Sequence, residues 1–359
     1  MLCITPRKHR MKHYNMNLYT NKIKILGFVL ILFLSIFSPG AEKYPVLTGP
    51  YLGQKLPGEE PAIFAPGIIN TGIPARDIAM MPDGSEIYFT WNIGQFTYST
   101  ILVTRYEKGK WTEPEVAPFA SNPGYKYLEP FISPDGKSMF FASDRPVEKN
   151  STSPGNMDIW KMNRTPTGWS EPENLGVPIN SSKNEFFPSV TKSGAVYFTR
   201  DEPNGASFIY RSRLVDGKYS EPKKLPVPIN SSPAQFNAFI SPDETYMILP
   251  VYGRKDSLGS TDYYVIARNA DDTWGELINL GEKINTSDGN EYSPYISPDG
   301  KYFFFMTSRK RGDFFKQGEV FTHDRLKGIY NSYGNGNSCI YWVDANIIYR
   351  LLKTVSVSK

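Results

Sequence analysis

Short apolar runs recur along the chain at near-constant intervals. Residues 87–90 (IYFT), 139–142 (MFFA), 196–199 (VYFT), 246–249 (YMIL) and 302–306 (YFFFM) each follow a turn. The turns are Pro82-Asp83-Gly84, Ser133-Pro134-Asp135-Gly136, Thr191-Lys192-Ser193-Gly194, Ser241-Pro242-Asp243-Glu244 and Ser297-Pro298-Asp299-Gly300. Their last residues lie 52, 58, 50 and 56 positions apart. Proline presets φ early in a turn, Asp bonds its own backbone, and Gly accepts positive φ, so each turn joins two antiparallel strands. The runs lack polar alternation, which marks strands covered on both faces.

The rest of the unit repeats as well. A third apolar strand follows at 101–105, 158–162, 208–211, 262–266 and 339–343. An aromatic-x-Glu signature comes next at Trp111, Trp169, Tyr219 and Trp274 and leads into a fourth strand. Before each turn, Met80, Ile132, Val190, Ile240 and Ile296 mark a first strand. Pro130, Pro188 and Pro294 interrupt three of these, which suits an edge strand whose free side faces a channel. Such units cannot bury either face alone. The pattern predicts an all-β, five-bladed β-propeller of four-stranded antiparallel blades. A six-bladed ring is the alternative, with residues 309–338 hiding the extra blade.

Closure is legible too. Ile-Asn-[Ser/Thr] ends the fourth strand at 179–181, 229–231 and 284–286, and recurs at Ile69-Asn70-Thr71, ahead of the first blade. The last unit has three strands and lacks the aromatic-x-Glu signature. The N-terminal strand around residues 62–70 is therefore expected to pair with the last blade and seal the ring.

Residues 1–41 read differently. Six basic residues and no acid precede the apolar run 25–37, and small residues follow at Ser38, Gly40 and Ala41. This is the form of a secretory signal peptide, and the run is short for a membrane span. The expected organisation is a signal peptide over 1–41, a linker over 42–60 and the propeller over 61–359. Export places the mature chain in the periplasm or outside the cell, with no membrane span left after cleavage. Without residues 1–41 the chain holds 34 basic and 36 acidic residues, a net charge of −2, so nucleic acid is not an expected partner. The mature chain keeps one Cys (Cys339) and one His (His323), too few for an internal disulfide or a His/Cys zinc site. No cofactor and no metal are expected. Any Ser-His-Asp arrangement would have to use His323.

The S-P-D-G turns, the strand ends Ser143-Asp144-Arg145 and Thr307-Ser308-Arg309, and the strand opening Asp158-Ile159-Trp160 resemble the WD40-like repeats of TolB-type β-propellers. The resemblance spans roughly residues 50–352. It implies an envelope location and partner binding, with no shared catalytic residue. TolB itself has six blades and an extra N-terminal domain, for which this chain has no room.

Propellers bind ligands at the mouth of the channel, where first strands enter. Seven positions before the last turn residue stand Asp77, Glu129, Phe187, Asn237 and Ser293; nine before stand Ala75, Tyr127, Glu185, Gln235 and Glu291. Asp77, Glu129, Glu185, Asn237 and Glu291 are the candidate ligand-binding residues of one rim. The plainer alternative is a solvated rim with its acids bonded to blade backbones. Trp91, Arg145, Arg309 and His323 are weaker candidates, and the aromatic-rich insertion 309–338 is a candidate binding loop. No catalytic residue is assigned. The expected role is a non-catalytic scaffold of the cell envelope that recognises a protein, a peptide or a polysaccharide. The alternative is a carbohydrate-active hydrolase using two rim acids, which would need them roughly 5–9.5 Å apart.

Overall fold

The computed structural model describes residues 44–148, 151–315 and 318–356; the segment 1–41, expected to be a signal peptide, lies outside them. Within the unit Pro45–Lys359, five antiparallel sheets form a ring. Blade one is Ala75–Met80, Glu86–Ile93, Tyr98–Glu107 and Glu115–Val116. Blade two is Tyr127–Ile132, Ser138–Ser143, Asp158–Thr165 and Glu173–Asn174. Blade three is Glu185–Val190, Val196–Asp201, Ser207–Ser212 and Lys223–Lys224. Blade four is Phe239–Ile240, Tyr246–Tyr252, Thr261–Ala267 and Ile278–Asn279. Blade five is Glu291–Ile296, Tyr302–Thr307, Cys339–Asp344 and, from the other end of the chain, Ala62–Ile63. The first strand of each blade lies against that of the next, and blade five returns to blade one. The second strands are buried on both faces, which is why the sequence shows FFFM and not an alternating pattern.

The seal is built as the repeat motif predicts. Ala62 pairs with Trp342 and Ile63 with Tyr341. The Asn70 side chain then grips the third strand of blade five. Its Oδ1 accepts from Ile340 N–H at 2.8 Å and its Nδ2 donates to Ile340 O at 3.0 Å. Asn180 holds Ile159 in the same two-way clasp, Asn230 holds Ile209, and Asn285 holds Tyr263. An amide carries one acceptor and two donors, so it stands in for a strand residue where the fourth strand has run out. Residues 45–60 also lie on the ring: Leu52 is buried, Trp111 N–H donates to Leu47 O at 2.9 Å, and the Tyr51 ring packs on Tyr302 and Trp342.

The described residues of the 309–338 insertion contain no strand, so the ring has five blades. They hold helix α1 (His323–Tyr330), capped by the Thr322 hydroxyl, and a Phe315–Phe321 ring pair at 4.9 Å. A second helix, α2 (Asn346–Ser356), follows the last strand and presents Tyr349 to Tyr246 beside the turn-side end of the channel. No helix of the described residues is long and apolar enough to cross a membrane.

Four first strands slip register at the same place: between Arg76 and Ala79, Leu128 and Phe131, Phe186 and Ser189, and Tyr292 and Tyr295. Inside each slip sits a residue with left-handed φ: Asp77 (54°), Glu129 (59°), Phe187 (50°) and Ser293 (59°). Asn237 (53°) is the blade-four counterpart. None is glycine, so each carries a local cost of roughly 1–2 kcal/mol. Pro130, Pro188 and Pro294 stand within the slips, where the ladder asks for no N–H donor.

Candidate functional site at the channel mouth

The bulges turn four polar side chains toward the ring axis. Arg76 Nε donates to Asp77 Oδ1 at 2.8 Å, and its Nη2 donates to Glu129 Oε1 at 2.9 Å and to Ser293 Oγ at 3.2 Å. Ser293 Oγ donates to Asp77. Glu129 N–H donates to Asp77 Oδ2 at 3.3 Å, Phe187 N–H donates to Glu129 Oε2 at 2.8 Å, and Asn237 Nδ2 reaches Glu129 Oε1 and Ser293 Oγ at 3.4 Å. All five blades thus meet in one network, blade three through its Phe187 main chain, and every carboxylate oxygen in it has a protein donor. Asp77 and Glu129 are each 3% exposed. Beneath them Phe131, Phe239 and Tyr295 pack ring on ring, leaving a cavity of only about 10 Å³. The axis is plugged.

Two acids share one guanidinium here. Burial pushes the Glu129 carboxyl well above the usual carboxylate range; Asp77 adds to this, against Arg76. Burial also works against the Arg76 charge, but the two acids outweigh it and hold the guanidinium protonated.

Glu185 and Glu291 do not join this network. Two residues upstream of the bulge, they turn into the seams between blades. Glu185 accepts from Ser181 N–H at 2.9 Å and from Arg200 Nε at 2.6 Å. Glu291 Oε1 accepts from the Thr286 and Thr307 hydroxyls, both at 3.0 Å. Gln235 takes the same place in blade four and bonds Ser232 N–H and O. Each thereby ties its own blade to the Ile-Asn-[Ser/Thr] loop before it. Burial raises the pKa of Glu291 to about 7, and that of Glu185 also moves up by burial. Arg309 donates to Ile284 O and to Lys283 O across the same seam, as Arg200 does to Ile179 O.

The remaining candidates scatter. Trp91 reaches the mouth, with its Nε1 donating to Ile69 O at 2.9 Å. Arg145 stacks on Trp160 in a lateral groove between blades one and two. His323 is exposed at the start of α1, 3.4 Å from Asp324, and lines neither end of the channel. Cys339 is fully buried, and burial pushes its thiol pKa up. At their strand starts Asp158 accepts from Asn174 Nδ2, and Asp262 accepts from the Leu258 and Gly259 amides and from Asn279 Nδ2.

The mouth above Arg76 opens into a cavity of about 770 Å³, walled by Trp91, Phe96, Tyr292 and Tyr330. Tyr330 comes from the insertion, so that loop does reach the mouth. Arg76 and Asn92 went unnoticed in the sequence. One signal for Arg76 was present: eight positions before the last turn residue the column reads Arg76, Leu128, Phe186, Phe236 and Tyr292, a lone charge among apolar side chains.

The fold and this plugged axis define a five-bladed β-propeller. No family model matches the chain, and no curated protein matches it. Solved structures similar to it include one ascribed to TolB from Agrobacterium tumefaciens, at 15% identity and a TM-score of 0.44, covering 75% of this chain and 90% of that one. An α-L-arabinofuranosidase from Lactobacillus brevis matches at 12% identity and a TM-score of 0.44, covering 76% and 91%. A prolyl endopeptidase structure matches at 16% identity and a TM-score of 0.37, covering 68% of this chain and 32% of that one, so the chain spans about a third of that enzyme. These likenesses concern the fold alone.

Proposed function

We propose that the protein is an exported, non-catalytic propeller that binds a partner of the cell envelope at its aromatic-walled mouth. The observation that carries this is the saturation of the mouth acids. All four oxygens of Asp77 and Glu129 accept bonds from the protein, so neither is free to act on a substrate. A rigid pocket remains, with positioned rings and no exposed acid in its lining. The partner is an envelope protein, a peptide or a polysaccharide.

The test is incubation of the purified protein with candidate partners, reading binding and turnover separately. Retention without cleavage is the expected outcome. Cleavage that disappears in both D77N and E129Q would sink the reading. One observation favours hydrolysis as the second reading: the two acids do converge beneath aromatic rings, and burial raises the pKa of Glu129, the direction a general acid needs. N-terminal sequencing of the protein from fractionated cells tests export; a mature chain beginning near residue 42 is expected.

A further inference from the structure

The lining of the mouth has a composition of its own. Among the described residues Arg76 is its only ionisable side chain other than tyrosine, and its charge is already met from below by Asp77 and Glu129. Four rings make the walls: Trp91, Phe96, Tyr292 and Tyr330. Between them stand the side-chain amides of Asn92, Gln95, Asn290, Asn331 and Asn337, drawn from blades one and five and the insertion.

Two rings are fixed in advance. Trp91 is tied through its Nε1 to Ile69 O, and the Arg76 guanidinium lies 5.5 Å from the centre of the Phe96 ring. One amide lacks a partner. Asn92 is 4% exposed, and its Oδ1 accepts no hydrogen bond. Ser99, opposite it in the hairpin, is buried with its Oγ likewise unpaired, so neither satisfies the other. The Asn92 side chain borders the cavity with this acceptor covered and unmet, so a turn of the amide would present it to a donor from the occupant.

Resting on the binding reading above, we propose that this mouth recognises an uncharged saccharide, a short stretch of neutral glycan. Ring faces suit the apolar C–H faces of pyranose or furanose units. Amides carry donor and acceptor together and so meet neighbouring hydroxyls, with Asn92 Oδ1 accepting from one of them. An acidic sugar gains little, because the one cation present is already neutralised. A peptide would take its main-chain bonds from an open strand edge, and the lining offers side-chain amides for that role instead.

The experiment is calorimetric titration of the purified protein with neutral gluco-, manno-, xylo- and arabino-tetrasaccharides, with tetragalacturonate, and with a pool of unrelated decapeptides. Wild type, N92A, F96A and Y330A are compared, and thermal melts check folding. Tyr330 is 72% exposed, so its removal leaves the fold intact. At least one neutral tetrasaccharide is expected to bind, with N92A and F96A each weakening it about tenfold, as loss of one hydrogen bond or ring contact does. Binding of tetragalacturonate or peptide alone, lost in the same variants, overturns the saccharide inference and leaves the binding reading standing. Neutral binding indifferent to all three variants, or no neutral binding at all, also overturns it. Cleavage of a bound tetrasaccharide overturns the non-catalytic reading and keeps the ligand class.

Discussion

At the scale of single residues the molecule turns on Arg76. Its guanidinium sits buried between two acids and a serine from three blades. Removing it leaves buried carboxylates without their cation, a loss of about 3–5 kcal/mol. R76M is therefore expected to lower the urea midpoint strongly. R76K should recover little, because an ammonium cannot offer the fork that reaches Asp77 and Glu129 together. The seam acid Glu291 contributes a separable part of the pH dependence. Its folded pKa, about 7, lies above the unfolded value, so the folded state holds the proton more tightly. The stability it contributes is complete below the unfolded pKa and is lost as pH rises through about 7. Denaturation midpoints should fall between about pH 5 and pH 8 in the wild type and fall less in E291Q. Equal slopes in the two proteins would refute this assignment.

At the scale of elements, much of the fold could be read in advance, and the side-chain directions could not. The turns, the covered strands and the Ile-Asn-[Ser/Thr] punctuation are local chemistry repeated five or four times, and repetition separates them from chance. Asp77 and Glu291 both looked like rim acids because spacing alone does not reveal an extra residue in the ladder. The bulge supplies that residue and reverses the faces beyond it. Position seven then points to the axis and position nine into the seam. Asn92 escaped notice because nothing repeats it. The asparagine clasp gives an element-level prediction. N70A leaves Ile340 N–H without a partner in a buried seam, at about 1–3 kcal/mol, while Ile340 O keeps its bond from Phe64 N–H. N230A should cost less, because its clasp is partly exposed while Asn70 is fully buried. Matched chemical-denaturation curves decide the order.

At the scale of the whole molecule, stability belongs to the ring. Each blade depends on two neighbours, and blade five also depends on the opposite end of the chain. Deleting residues 61–70 removes the fourth strand of blade five and uncovers Trp342 and the third-strand edge. The expected result is loss of the cooperative melt, followed by circular dichroism. A truncated protein that melts like its parent would show that the seal contributes nothing. The plugged axis carries a related expectation. With only about 10 Å³ left beneath Asp77 and Glu129, a solute entering the mouth is not expected to pass along the ring axis.

Sharing one blade between the two ends also sets an order of events during synthesis. Residues 62–70 leave the ribosome ahead of the first blade and must wait, unpaired, for residues 339–344, which follow four complete blades. A transcript truncated anywhere before codon 339 lacks the strand that Ala62 and Ile63 pair with, so however many leaves it completes, the ring stays open.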